Sequence, residues 1–324
     1  MRARRTLAIA CAALGACTIA ATRAAAQSGV ELQALRHGAP PAPAKLDVDS
    51  AIARASELRR HNRRAAAAEV MRQAVAAAPD RLDARRLFDQ LQQELHGGEV
   101  LVAANYKSWR TQLPEWKEGV VALRQNTPFG AAIVRGSHLE RAALGDDQIQ
   151  VEAYPAFPHG YLALGGGVAT RATLYAHTTA SAELYGSLTD NVEGSVGYRR
   201  MNFTNAVDML GGSLGTYLGN NLLAARVTHV ANDGGTSVLL SARRFLSDDG
   251  QFLGVRFATG NVPVEFRTPT DFAVRFSQSA GAEMRVFLGG VVVLSVDGEL
   301  GRDGLAAGGS SEYGAVRVGL GVRY

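Results

Sequence analysis

The last nine residues, Val316-Arg-Val-Gly-Leu-Gly-Val-Arg-Tyr324, decide the fold class because apolar and polar positions alternate strictly along them. In an extended strand, successive side chains point to opposite faces of the sheet. One face carries Val316, Val318, Leu320, Val322 and Tyr324, and the other carries Arg317, Gly319, Gly321 and Arg323. Such a strand suits a sheet that has lipid on one side and water on the other.

The same alternation recurs through the second two-thirds of the chain. In the segment 191–199, valines and a tyrosine alternate with Glu193, Ser195 and Arg199. The segments 148–153, 224–229 and 292–301 repeat the pattern. Segments of about ten residues with this two-residue period are typical of transmembrane β-strands.

Turn signals separate these segments at regular spacing. They lie at 128–130, 145–147, 155–160, 190–191, 219–221, 232–235, 248–250, 261–263, 289–290 and 308–309. Counting the intervals predicts about 12, and up to 14, strands with short loops at both ends. The predicted fold is all-β: a closed antiparallel transmembrane β-barrel over residues 97–324. Closure is expected because an unpaired backbone group facing lipid costs several kcal/mol.

The end of the last strand also predicts how the barrel is assembled. An aromatic carboxy-terminal residue that closes an alternating apolar strand resembles the signal read by the barrel-assembly machinery. Val316, Val318, Leu320, Val322 and Tyr324 are therefore the predicted assembly signal. That machinery and outer-membrane lipid are the expected partners during biogenesis.

Charges on the polar faces predict the character of the lumen. The residues predicted to line it are Glu152, Glu193, Arg199, Arg226, Asp297, Glu299 and Arg317. Opposite charges could brace a filled barrel, or they could border a water channel and set its selectivity. A barrel of this strand number is wider than the eight-stranded case that side chains fill, which favours a cavity or a narrow channel, with or without a plug.

Aromatic residues are predicted to form girdles at the two membrane interfaces. Those assigned to the girdles are Trp109, Trp116, Tyr154, Tyr161, Tyr185, Tyr198 and Tyr217.

The amino terminus predicts export from the cytoplasm. Residues 1–26 combine a basic start, a short apolar stretch and the small-residue site Ala24-Ala25-Ala26, as a secretory signal peptide does. The stretch 14–17 also resembles a lipobox, in which Cys17 would be lipidated. Since the second cysteine, Cys11, lies in the same segment, cleavage after Ala26 would leave no thiol for a disulfide or metal site.

A linker and a helical segment are predicted ahead of the barrel. Residues 27–45 are proline-rich and read as an extended linker. Residues 46–96 are rich in alanine and other helix formers. Ala55, Ala67, Ala74 and Pro79 fall where a tetratricopeptide unit places its small contact residues and its closing proline. One unit is too few for a stable repeat stack, so a plain periplasmic three-helix segment remains an equal alternative.

From about residue 101 to 324 the chain resembles the YaiO-type outer-membrane β-barrel family. The segments that carry the resemblance are 115–118, 153–155, 160–165, 182–185, 197–203, 215–219 and 241–245. The resemblance implies an outer-membrane barrel of a Gram-negative cell envelope, often preceded by a tetratricopeptide-like region. It brings no catalytic residues.

Enzymatic and nucleic-acid functions find little support in the sequence. His138 with Asp146 or Asp147 could form a general-base pair at a barrel rim, yet no serine lies in a nucleophile context. We therefore predict no catalytic, cofactor or metal site. The net charge of +4 comes mostly from scattered arginines, which do not form the basic stripe of a nucleic-acid-binding protein.

The resulting functional prediction is a passive channel or export conduit, with a polysaccharide as one candidate cargo. The periplasmic helices would dock a protein or polysaccharide partner. The helix-then-barrel order resembles polysaccharide exporters in outline only. Two alternatives stay open: a non-conducting structural or assembly barrel that scaffolds envelope partners, and, more remotely, a lipid-modifying hydrolase that uses His138 or His159 as its base.

Overall fold

Over the residues that the structure describes, the fold is a closed antiparallel β-barrel of 14 strands, preceded by three α-helices. The computed structural model describes residues 47–60, 63–111, 113–157, 159–231, 235–246, 250–261, 274–305 and 308–324. The predicted signal peptide, the lipobox cysteine and the linker lie outside these described residues.

The strands follow one another around the barrel in chain order, and each pairs with its sequence neighbours. Their bounds are β1 Gly98–Trp109, β2 Trp116–Thr127, β3 Gly130–Arg141, β4 Leu144–Phe157, β5 Gly160–Ala169, β6 Thr178–Ser187, β7 Val192–Asn202, β8 Ala206–Leu218, β9 Asn221–Val230, β10 Gly235–Phe245, β11 Phe252–Gly260, β12 Val274–Leu288, β13 Val292–Leu305 and β14 Ser310–Arg323. The predicted range of strand numbers included the observed 14, and the predicted barrel class is confirmed.

The barrel closes through β1 and β14, which pair from Glu99 opposite Arg323 to Trp109 opposite Tyr313. Every strand edge in the sheet is thereby paired, as a bilayer requires. Because the strand number is even, β1 begins and β14 ends at the same end of the barrel. We call this the helix-side end, and the other the opposite end.

The outer face of the barrel is apolar. Large exposed side chains on it include Val102, Val121, Val196, Leu214, Val255, Leu300, Val318 and Leu320. Val102 and Val121 have apolar neighbours on the inner face, but the other six alternate along their strands with charged, hydroxyl or glycine positions. Over most of the barrel the sheet therefore has one apolar and one polar face.

The three helices form a small unit with its own core. They are α1 Val48–Arg60, α2 Arg64–Ala77 and α3 Leu82–His96. Ala55, Ala67 and Ala74, which the sequence placed at helix contacts, are fully buried beside Met71 and Leu91. The small side chains let neighbouring helices approach closely, but a tetratricopeptide relationship stays a prediction.

In the part of the chain that the structure describes, no helix is long and apolar enough to cross a membrane.

The end of α3 is hydrogen-bonded to the helix-side end of the barrel. Gln93 Nε2 donates to the carbonyl oxygen of Tyr324 (3.2 Å), and Asn126 Nδ2 donates to the carbonyl of Gln93 (3.2 Å). Gln125 Nε2 donates to the carbonyl of His96 (2.8 Å). The helical unit is thus attached to the end of β2 and to Tyr324, the residue that follows β14.

One predicted turn is wrong. Residues 145–147 were expected to form a turn, but they lie within β4. The chain reverses at Ala142 and Ala143, which both have positive φ, 49° and 63°. Glycine or asparagine usually occupies such positions, so two alanines gave no turn signal.

Candidate functional site

Ion pairs identify the face of the sheet that lines the lumen. Arg226 on β9 binds Glu183 on β6 (2.8 Å), and Arg285 on β12 binds Glu99 on β1. In each pair the two residues lie on strands that are three positions apart around the barrel. Side chains can bridge such a distance only across the concave inside, so residues that share the face with these pairs point inward.

Ion pairs brace much of this inner wall. Besides the two long pairs, Arg243 binds Glu283, Arg256 binds both Asp297 and Glu299, and Arg135 binds Glu152 (3.3 Å). Most of these side chains are half-buried, so their pairing is screened less than it would be at an open surface. Pairing of opposite charges links different parts of the wall to one another.

The seven residues predicted to line the lumen all lie on this inner face. Glu152, Arg226, Asp297 and Glu299 belong to the ion pairs already described. Glu193 accepts a hydrogen bond from the Tyr217 hydroxyl (3.4 Å). Arg199 and Arg317 border a cavity in the lumen, described below. Whether any of them lines a water path stays a prediction.

The connection between β5 and β6, residues 170–177, folds into the opposite end of the barrel. We call it the inward loop. Its residues Leu174, Tyr175 and Ala176 are almost completely buried. Sequence reasoning missed this loop because its residues show neither strand alternation nor the composition of an exposed turn.

Asp146 holds the inward loop against the wall. This β4 residue is 0% exposed, and its carboxylate accepts backbone N–H bonds from Arg171, Thr173, Leu174 and Tyr175 at 2.8–3.1 Å. Burying a carboxylate is costly unless it is fully hydrogen-bonded, and a set of converging amides meets that need. The interaction explains why residues 145–147 remain in β4 and do not form a turn.

A second contact fixes the loop to β2. The Tyr175 hydroxyl donates to Glu118 Oε1 (2.7 Å), and Asn105 Nδ2 donates to the other carboxylate oxygen of Glu118 (2.5 Å). The loop is therefore attached to two strands on one side of the lumen, and it narrows the opposite end.

A polar cavity of about 250 Å³ lies beside the inward loop. Its lining includes Tyr175 and Ala176 of the loop together with the wall residues Asn105, Glu118, Arg135, Ser137, Gln148, Gln150, Thr179, Arg199 and Arg317. The cavity therefore offers three guanidinium groups, three amides and several hydroxyls to a solute in the lumen.

The prediction of aromatic girdles at the membrane interfaces is wrong for six of the seven residues assigned to them. Only Tyr198 lies on the outer face, whereas Trp109, Trp116, Tyr154, Tyr161, Tyr185 and Tyr217 share the inner face. The Tyr161 and Tyr185 rings stack at 4.5 Å, and Tyr154 is tilted against Tyr161 at 6.3 Å. The sequence contained enough information to place two of these tyrosines. Tyr154 and Tyr185 each follow an inward-facing glutamate by two residues, and residues two apart lie on the same face of a strand.

Comparison with known proteins identifies the family. The YaiO membrane beta barrel domain matches residues 98–265, which is more than half of the chain. The chain belongs to the YaiO membrane β-barrel family. It is an outer-membrane β-barrel, as the resemblance implied. No curated protein matches it.

Solved outer-membrane barrels are similar to this YaiO-family chain at low sequence identity. Omp33 of Acinetobacter baumannii is 12% identical, with a TM-score of 0.43, over 72% of this chain and 100% of its own. OpdO of Pseudomonas aeruginosa is 10% identical, with a TM-score of 0.40, over 72% and 99%. An anion-selective porin of Comamonas acidovorans is 9% identical, with a TM-score of 0.39, over 70% and 98%.

The two histidines predicted as candidate bases lie at opposite ends of this YaiO-family barrel. His138 lies on the outer face near the opposite end, where Nδ1 is 2.7 Å from Asp147 Oδ1. Asp146, the other predicted partner, faces inward and binds the loop. His159 lies in the turn after β4, at the helix-side end. His138 and His159 therefore cannot act together, and a hydrolase that uses either one alone as its base stays a prediction.

Proposed function

We propose that this barrel is a passive outer-membrane channel for small polar solutes. The observation that carries the proposal is the inner wall: its charges pair around the circumference, and a fixed loop narrows one mouth beside a polar cavity of about 250 Å³. A pocket for a drug-sized ligand measures about 300–1,000 Å³, so the cavity suits a smaller solute. This size favours a small solute over the polysaccharide that the sequence left open.

The loops support an orientation with the helices in the periplasm. Turns of outer-membrane barrels are short on the periplasmic side and longer outside. At the helix-side end, two residues connect β2 to β3 and β8 to β9. The longest connection that the structure describes in full, 170–177, belongs to the opposite end. The inward loop would then narrow the extracellular mouth.

Planar-bilayer recording of the purified full-length mature chain tests the proposal. We expect discrete conductance steps in the wild-type protein. In the double substitution Leu174→Gly and Tyr175→Gly, the steps should be larger, because the loop side chains that narrow the lumen are removed. Folding of both proteins is checked by the change in gel mobility on heating. Folded protein that shows no steps at any voltage would contradict a channel.

The second candidate is a non-conducting barrel that scaffolds envelope partners through its helices. A specific observation favours it: the helical unit has its own core, yet Leu82 at the start of α3 is 65% exposed. A protein partner could cover this side chain. Crosslinking in cells from position 82, with exposed Arg72 of α2 as the control position, would detect such a partner. Adducts from position 82 alone, together with silent bilayers, would favour the scaffold.

A further inference from the structure

We infer that the cavity beside the inward loop binds a small, hydroxylated organic anion and makes the channel anion-preferring. This inference rests on the proposed channel function and deepens it, because it names the class of solute. It depends on the residues that border the cavity, and an arginine on the outer face of the same strand offers a matched control.

Guanidinium groups dominate the charged lining of the cavity. Arg135, Arg199 and Arg317 border it from three different parts of the wall, β3, β7 and β14. A guanidinium carries five N–H donors in a fixed plane, so it can hold a protein partner and still bind a carboxylate or phosphate. Arg135 binds Glu152 (3.3 Å) on the wall, and its side chain still borders the cavity.

The carboxylate in the same lining is already engaged. Both oxygens of Glu118 accept hydrogen bonds, one from Tyr175 and one from Asn105. Glu118 is also buried, with 7% of its surface exposed. The charge of Glu118 offsets one guanidinium charge, and Arg135 is paired with Glu152 outside the lining. Among the side chains that border the cavity, three arginines stand against one glutamate, so the charge of the lining itself is positive.

Neutral polar groups complete the site and define the rest of the ligand. Gln148 and Gln150 of β4, with Ser137 of β3 and Thr179 of β6, border the cavity. Amide and hydroxyl groups both donate and accept hydrogen bonds, as solute hydroxyls do. An anion with several hydroxyl groups matches this lining better than a simple halide or an apolar acid.

Adjacent residues on β7 provide the matched control. Arg199 borders the cavity, whereas Arg200 lies on the outer face and binds Asp208 (3.3 Å). The substitutions Arg199→Gln and Arg200→Gln remove the same charge one residue apart, on opposite faces of the sheet. Arg199→Lys keeps the charge but loses the planar set of donors.

Two measurements on the full-length protein test the inference. The first is the reversal potential of the channel in a KCl gradient. The second is the binding of sodium gluconate to the folded, detergent-solubilised protein by calorimetry, with glucose as the neutral counterpart.

We expect anion preference and gluconate binding in the wild-type protein and in Arg200→Gln. In Arg199→Gln and Arg317→Gln, anion preference should fall and gluconate should bind about tenfold more weakly, because charge-assisted hydrogen bonds are lost. Arg199→Lys should retain part of both.

The outcomes separate the inference from the channel proposal. Conducting channels without anion preference, or with a preference that Arg199→Gln and Arg200→Gln change equally, would overturn the inference and leave the channel intact. Silent bilayers with gluconate binding that Arg199→Gln abolishes would overturn the channel and support the anion site. If glucose binds as well as gluconate in every variant, the arginines do not select the ligand and the inference is wrong.

Discussion

At the scale of single residues, two neighbouring aspartates of β4 have different roles because adjacent residues of a strand point to opposite faces of the sheet. Asp146 faces the lumen, where four backbone amides of the inward loop bind its carboxylate. Asp147 faces outward and pairs with exposed His138. The first interaction organises the loop, and the second is a surface ion pair of the kind that contributes little to stability.

Asp146→Ala should release the inward loop while Asp147→Ala should not. Each hydrogen bond to a charged group contributes about 1.5–3 kcal/mol, so losing four acceptor contacts removes the main attachment of the loop. We expect trypsin to cleave after Arg171 much faster in Asp146→Ala, as followed by mass spectrometry. The Asp147→Ala protein should match the wild type. Equal cleavage rates in all three proteins would show that Tyr175 and the other contacts of the loop keep it in place when Asp146 is absent.

The alternation of inward and outward positions along each strand could be read from the sequence, but the aromatic residues were not placed by that alternation. The seven predicted lumen residues were chosen from alternating segments, and the structure places them on the inner face. The tyrosines were assigned by residue type, as interface anchors, and six of the seven aromatics in that set face inward. Counting two residues on from an inward glutamate would have placed Tyr154 and Tyr185 correctly.

At the scale of elements, the strands could be predicted and the inward loop could not. A strand buried on one face carries its two-residue period in the sequence. The position of the loop depends on Asp146 and Glu118, which lie 29 and 57 residues before Tyr175 in the chain and come near it only when the strands have paired into a curved sheet. Likewise, the Ala142-Ala143 turn adopts positive φ because the β3–β4 register demands it.

The helical unit is expected to be dispensable for the barrel. Its contacts with the strands are a few hydrogen bonds from the end of α3, whereas the strand ladders pair without it. Removing residues 47–96 should leave a barrel that folds and conducts like the full chain, as gel mobility and bilayer recording would show. A truncated chain that fails to fold would mean that α3 takes part in closing β1 on β14.

At the scale of the whole molecule, the last residue has a structural place as well as a predicted role in assembly. Tyr324 exchanges backbone hydrogen bonds with Gly98 (2.9 and 3.1 Å) and donates its hydroxyl to Gln125 Oε1 (3.0 Å). It thus contacts both strands that follow the helices. The structure alone explains why a residue is needed at this position, but it does not require an aromatic one.

An assembly role can be separated from this structural place by comparing folding in cells with folding of the purified chain. If the ring is part of the signal, Tyr324→Ala should lower the amount of folded barrel in the outer membrane, because the assembly machinery binds it less well. Tyr324→Phe, which keeps the ring and loses the hydrogen bond to Gln125, should assemble like the wild type. Refolding into lipid vesicles without the machinery should then succeed equally for all three proteins. A Tyr324→Ala chain that refolds as poorly as it assembles would instead assign the residue to closure of the barrel, since the defect would persist where no machinery is present to read a signal.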